Sequence, residues 1–319
     1  MEGRQLSEQQ AQALEAALKL APDDLSIRTK LMGYYWGQFR STSARRARQQ
    51  HVFWVIQNHP EAAIAGVPEG TLDPHLDGEA YEQAAALWKQ QVAGHPADPA
   101  ILGNAAAFFL LYDATLAENL LKKGEALEPA NPRWPQRLGQ LYSLHSHAAG
   151  EPDASKRVAD ALAAYERAYA RTAGDLSKSY LLPSLAAAAF DAGSMDKAKS
   201  YADFALDAAK RWPSDWNAGN DLHHGNLILG RLALRAGDTE TAKAYLVSAA
   251  KTHGSPQLNS FGPNMALAKE LLERGEKATV LEYLALCGNF WSSGKDTLRN
   301  WTATINSGGT PDFGANLSY

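Results

Sequence analysis

One cysteine, Cys287, stands in a chain of 319 residues, so no internal disulfide can form and a cysteine-based zinc site lacks ligands. Long apolar runs are missing too. None approaches the roughly 18 consecutive residues that a membrane-spanning helix needs, so no membrane is expected among the partners. Basic charge is not in excess: 31 Lys and Arg against 35 Asp and Glu leave a formal net charge of −4, which argues against a nucleic-acid footprint. The opening residues, MEGRQLSEQQ, lack the apolar core of a secretory signal. A cytoplasmic chain is expected, although a signal already removed would leave the same reading. Alternating strand patterns are scarce. No glycine-rich phosphate loop, GxGxxG turn or HExxH pair occurs, so neither a cofactor nor a metal is expected.

What is present is helix-forming sequence. Hydrophobic residues make up 45% of the chain and charged residues 21%, the balance of an ordinary folded protein. Ala, Leu, Glu, Lys, Gln and Arg fill segment after segment, with apolar residues recurring at three and four, as in Leu14, Ala17 and Leu18. Gly and Pro fall between these blocks. The pattern predicts an all-α chain of about 13 to 15 helices, at about 10–14 residues each. Its length suits two domains or one elongated array.

Three blocks align without gaps. The first runs Leu185, Ala186, Gly193, Ala198, Ala202, Ala205. The second is Leu229, Gly230, Gly237, Ala242, Leu246, Ala249, and the third Leu267, Ala268, Gly275, Val280, Leu284, Cys287. An earlier block, Trp134, Leu138, Gly139, Tyr142, Ala161, Tyr165 and Ala168, follows them with about ten residues inserted around 146–155. Further units close at Pro22, Pro60, Pro96 and Pro129, which stand 38, 36 and 33 residues apart. This pattern resembles the tetratricopeptide repeat (TPR) family, whose period is about 34 residues. The resemblance covers residues 8–287 and is strongest over 130–287. It implies a right-handed superhelix of antiparallel helix pairs over 1–287, and a protein or peptide partner. Residues 288–319 would form a C-terminal capping helix and an extended tail.

The spacing has a physical basis. Ala198, Ala202 and Ala205 share one helical face, where small side chains let a paired helix approach. Gly193, Gly237 and Gly275 stand where the first helix of each pair must stop, a position that favours left-handed backbone. Cys287 falls on a small-residue packing position and reads as a buried structural thiol. At the end of the chain, Leu298, Trp301 and Ile305 form an amphipathic stripe fit to cover the last apolar face. The tail TPDFGANLSY keeps Phe313, Leu317 and Tyr319 and is expected to pack back.

Departures from the repeat are where function can reside. Segment 39–50 carries Arg40, Arg45, Arg46 and Arg48, read as a solvated helix start or else a small anion patch. Segment 66–78 is turn-rich and expected to loop over the surface, with Asp73, His75 and Asp77 only a weak metal set. From Ala205 to Leu229 the path is 24 residues where a period of about 34 leaves about 14, so 211–226 holds an insertion. It brings Trp212, Trp216, Asn217, Asn220 and Asp221 to a helix start, with Asp221 or Asn220 as N-cap. His223 and His224 follow in the first turn, where the helix dipole lowers their pKa. Segment 251–266 is also lengthened, and stacking should set it beside 211–226.

Together these loops offer a candidate ligand-binding set: Trp212, Trp216, Asn220, His223, His224, Asn226, Arg231 and Asn264, with His253, Gln257 and Asn259. By analogy with the family, the groove takes Tyr180, Ala187, Phe190, His224, Leu227, Arg231, Leu234, Met265, Lys269 and Leu272, with Arg133, Gln136 and Gln140 from the earlier repeat. The paired Lys and Asn that clamp a C-terminal carboxylate in some family members are not in register, which argues against that mode. Two functions stay open. One is a scaffold gripping a protein or peptide through the groove and the loops 211–226 and 251–266. The other is an enzyme or small-molecule binder, with His223 or His224 as base and Arg231 holding an anion. The oligomeric state is open, including assembly through the tail.

Overall fold

The computed structural model describes residues 2–146 and 154–317, and every regular element within them is helical. Two compact units, Met1–Leu141 and Tyr142–Tyr319, divide inside one helix. The number of helices matches expectation once three pieces of four to six residues are set aside. The insertion around 146–155 and Tyr319 lie mostly outside the described residues.

In the first unit, α1 (Glu8–Leu20), α2 (Leu25–Trp36), α3 (Thr42–Asn58), α4 (Pro74–Asp77), α5 (Glu79–Gly94), α6 (Pro99–Phe109) and α7 (Ala114–Leu127) lead into α8 (Arg133–Ser146). Starts are set by side-chain caps. Ser7, Asp24, Ser41, Asp98 and Asp113 each accept a backbone N–H of the first turn. Ends are set by proline: Pro22, Pro60, Pro96 and Pro129 each stand two residues past the last helical residue of α1, α3, α5 and α7. Trp134 is fully buried against Gly124, where any Cβ would meet the indole at 2.4 Å.

Two expectations for this unit need correction. Arg48 is not on a solvated face. Its buried guanidinium donates to the carbonyls of Glu69 and Thr71, approaches Asp77 at 3.5 Å and lies over the Trp36 ring. Segment 66–78 is likewise drawn inward, because Glu69, Leu72 and Asp77 are buried. Asp73 caps α4 by accepting from His75 and Leu76, and Asp77 accepts from Gln49, so neither carboxylate is spare. No metal-binding cluster occurs among the described residues.

The second unit contains α9 (Ala154–Arg171), α10 (Asp175–Ser179), α11 (Leu182–Asp191), α12 (Met195–Arg211), α13 (Ala218–Arg235), α14 (Thr239–Ala250), α15 (Pro256–Phe261), α16 (Ala266–Glu273), α17 (Lys277–Cys287) and α18 (Lys295–Asn306). Three of its turns are the same structure. Gly193, Gly237 and Gly275 have φ of 72°, 86° and 86°. Each donates its N–H to a carbonyl three residues back: Phe190, Leu234 and Leu272. The following residue, Ser194, Asp238 or Glu276, donates to a carbonyl five residues back: Ala189, Ala233 or Leu271. This is the Schellman termination, repeated in the predicted register.

The small-residue positions behave alike. Ala198, Ala202, Ala205, Ala242, Leu246, Ala249, Val280, Leu284 and Cys287 are all buried. Burial also pushes the Cys287 thiol far above its ordinary pKa, as a structural thiol requires. At Gly230 a Cβ would meet Leu267 Cδ2 at 2.4 Å, so the missing side chain admits the large residue of α16.

The chain end packs as expected. Leu298, Trp301, Ile305 and Phe313 join the same core as α14, α16 and α17. Asn316 ties the tail down, accepting from Met265 N–H at 2.7 Å and donating to the carbonyls of Phe261 and Pro263. No helix among the described residues is long and apolar enough to cross a membrane.

Candidate functional site

The insertion in 211–226 is used chiefly to lengthen a helix. Leu185 is the fourth residue of α11 and Leu267 the second of α16, but the equivalent Leu229 is the twelfth of α13. α13 thus extends about two turns beyond its counterparts at the N-terminal end. The helix begins at Ala218 after Asn217, so neither Asn220 nor Asp221 is the N-cap, and the two histidines sit in the second turn. The reason is local. Asp215 accepts from the Asn217 N–H at 2.9 Å in a tight turn that starts the helix early.

The lengthened end of α13 is where 251–266 packs, as the repeat spacing predicted. Gly219 faces the Gly254 carbonyl so closely that a Cβ would overlap it. Asn220 donates to Asn217 Oδ1 at 2.9 Å and to Gln257 Oε1 at 3.0 Å, and accepts from the Ser255 hydroxyl at 2.6 Å. Ser255 in turn caps α15 by accepting from Leu258 N–H. His223, fully buried, bridges two elements. Its Nδ1 bonds the Ala249 carbonyl at 2.9 Å, and its Nε2 accepts from Asn264 N–H at 3.1 Å. That pair of bonds assigns the neutral tautomer with the proton on Nδ1.

Burial sets the charges here. Desolvation holds His223 down at about 3 and His224 at about 4, so both are neutral at pH 7. The cause is burial and not the helix dipole. Asp221, 2% exposed, is pushed up to about 7 by desolvation; the bond from Asn217 at 2.8 Å pulls the other way, and Asp215 adds a further upward push. From sequence Asp221 reads only as a cap, because no local pattern flags a carboxylate that a longer helix carries inside.

Between the two loops lies a cleft of about 530 Å³ lined by Pro213, Asp215, Trp216, Gly219, Lys251, His253 and Asn259, among others. Trp216 is 48% exposed and stacks at a tilt on Tyr180, ring centroids 5.0 Å apart, while the Tyr180 hydroxyl donates to Asp215. Of the expected set, the cleft gathers Trp216, His253 and Asn259, and the bonds of Asn220 and Gln257 join its two walls. The remaining residues go elsewhere. Trp212 packs into the α11–α12 core with Arg211 over its ring. Asn226 donates to Leu222 of its own helix. Arg231 pairs with Glu270 at 2.8 Å and lies over the Phe190 ring, while Lys269 pairs with Glu273. Asn264 spends its backbone on His223 and Tyr283 and its side-chain oxygen on Ala266. Phe190, Leu227, Leu234 and Met265, assigned to the groove by analogy, are buried in the core. Lys251 was missed altogether, because nothing in its neighbourhood marks it apart from ordinary helix-end lysines.

Comparison with known protein families and with curated proteins finds no match to this chain.

Proposed function

We propose that this chain is a helical-repeat scaffold of the tetratricopeptide type, a right-handed superhelix of antiparallel helix pairs, that grips a protein or peptide segment. The gripping surface is the cleft between 213–219 and 251–259. Three Schellman turns support the repeat, each at the same distance from the large residue of its first helix (Leu185, Leu229 or Leu267) and each followed by buried residues in the same register. The observation that carries the binding reading is the cleft itself. It forms where two departures from the repeat meet, and a large aromatic, Trp216, is left half in water at its wall. An acid–base site built on His223 and Arg231 fits less well. Both nitrogens of His223 are engaged, and the guanidinium of Arg231 already holds Glu270, which leaves neither of these two residues free for the role of base or anion holder.

The test is capture of partners from an extract of the source cells by the intact chain, Trp216→Ala and Lys269→Ala. Under this reading one stoichiometric protein is lost with Trp216→Ala and kept with Lys269→Ala. Loss with Lys269→Ala alone moves the site to the α13–α16 groove. A partner set indifferent to Trp216 refutes the assignment.

A further inference from the structure

The chemistry of the cleft narrows what it can hold, given the reading of it as a docking site. Its ionisable side chains are of two kinds. The one acid is already engaged: Asp215 accepts from Asn217 N–H with one oxygen and from the Tyr180 hydroxyl with the other. The basic ones are not. Lys251 and His253 both line the cleft and both are exposed, and neither side chain has a hydrogen bond, ring contact or ion pair among the described residues. Lysine carries three donors and no acceptor, and imidazole can donate, so the unspent capacity of the site is for an acceptor bearing negative charge. Beside them stands an apolar wall, the Trp216 ring braced by Tyr180 and flanked by Pro213. An aromatic wall of this kind favours planar rings and proline, whose flat faces stack with little entropy left to lose.

Shape chooses between a peptide and a small acid. The volume, about 530 Å³, lies within the range of about 300–1,000 Å³ that holds a drug-sized occupant. Such small-molecule sites bury about 70–90% of the ligand. Here Pro213, Ser214, Trp216, Lys251, His253 and Pro256 all remain exposed along the walls, so a compact ligand would stay largely in water. A chain passing through the cleft avoids that difficulty, because it contacts both walls with alternate side chains and leaves its backbone solvated. The walls are also fixed in advance: the bonds from Asn220 to Gln257 and from Ser255 to Asn220 join them beneath the surface, which lowers the ordering cost of binding.

We infer that the cleft takes an extended acidic peptide segment, with a proline or aromatic residue stacked on Trp216 and a neighbouring carboxylate paired with Lys251 and His253.

The probe is a random dodecapeptide display library, selected on the full chain and counter-selected on Trp216→Ala, with the leading peptide resynthesised carrying fluorescein. The expected result is enrichment of Asp or Glu next to Pro or an aromatic residue. Binding by polarisation should weaken at least tenfold in Trp216→Ala and about fivefold in Lys251→Gln/His253→Gln, a size typical of exposed ion pairs. It should also weaken as salt rises from 50 to 500 mM, as screening of such pairs demands. All three residues are exposed, so unchanged melting curves of the variants keep the comparison clean. Peptides that depend on Trp216 but show no acidic enrichment overturn this inference and leave the docking reading standing. No peptide dependent on Trp216 overturns both. An anionic small molecule that co-purifies in native mass spectrometry and is lost with Trp216→Ala overturns the peptide assignment.

Discussion

Asp221→Asn isolates one buried carboxyl whose ionisation opposes folding. In the unfolded chain this group titrates near 3.8; in the folded chain burial holds it at about 7. Between those values the folded state keeps a proton that the unfolded state has lost, so stability falls as pH rises through the interval and is flat above it. The gap amounts to about 4 kcal/mol, at about 1.4 kcal/mol for each tenfold change in proton affinity. Asparagine cannot ionise and keeps an oxygen to accept from the Asn217 amide, so the variant loses this dependence. Its new NH₂ needs an acceptor, a cost of about 1–3 kcal/mol that does not change with pH. From pH 5 to pH 8, then, the stability of Asp221→Asn relative to the parent should rise by about 3 kcal/mol.

His223 and His224 act in the opposite sense. Held neutral to about 3 and about 4, they cost stability as pH falls below their ordinary 6.5, because only the unfolded chain takes up their protons. The two histidines outweigh the single carboxyl up to neutrality, so these groups together place the parent's greatest stability near pH 7, and subtracting its curve from that of the variant removes the histidines. Urea unfolding followed by circular dichroism at half-unit steps of pH measures both curves. A difference that stays constant within error from pH 5 to 8, or that falls, refutes the assignment of a buried and strained carboxyl.

Other substitutions test the remaining arguments. Gly237→Val forces a β-branched residue to φ of 86° where the space is otherwise open, so it should cost more than about 1 kcal/mol by backbone strain alone; an unchanged melting temperature would deny the turn. Arg48→Ala leaves Asp77 buried without its cation and should destabilise the first unit by about 3–5 kcal/mol in denaturant, with Arg46→Ala as a near-neutral surface control. Phe313→Ala removes a buried ring from the core shared with Trp301 and should cost about 3–5 kcal/mol in thermal melts if the tail is packed, and almost nothing if it is loose.

The helical class, the unit ends at Pro22, Pro60, Pro96 and Pro129, and the glycine turns were legible because each depends on a residue with one dominant backbone property. Proline cannot extend a helix, and glycine alone tolerates positive φ cheaply. The meeting of 211–226 with 251–266 was legible from spacing, since lengthened links in consecutive pairs must lie side by side. The inner partners were not. Arg48 looked solvated from its run of arginines, and its ties to Glu69 and Thr71, more than 20 residues away, leave no local signature. Arg231 looked like a free cation until Glu270, 39 residues on, came within 2.8 Å. Periodicity states which face is inward, but it cannot say which charged residue will find a partner there.

The added turns of α13 explain why a docking site belongs at this place. In a minimal pair the second helix returns directly to the next first helix, leaving only the ends of helices to face solvent. Here α13 starts early, and its extra turns have no equal on α11 or α16 to pack against. Their inner side is covered instead by 251–266, through Gly219 against Gly254, Asn220 against Ser255 and His223 against Asn264. Covering that side with irregular chain requires polar bonds in place of a helix face, because buried backbone groups must be satisfied. Ser255 and His223 meet that demand and Asn220 holds Ser255 in place, which is why these polar residues are spent on structure. What they leave unspent is on the outer edge of the same contact: Trp216, Lys251 and His253, fixed by the network beneath them and facing water. Breaking the network through Ser255→Ala should therefore weaken peptide binding at Trp216 without touching any residue of the cleft's outer edge. Equal affinity in Ser255→Ala, measured with the same labelled peptide, would show that the two walls hold their positions by other means.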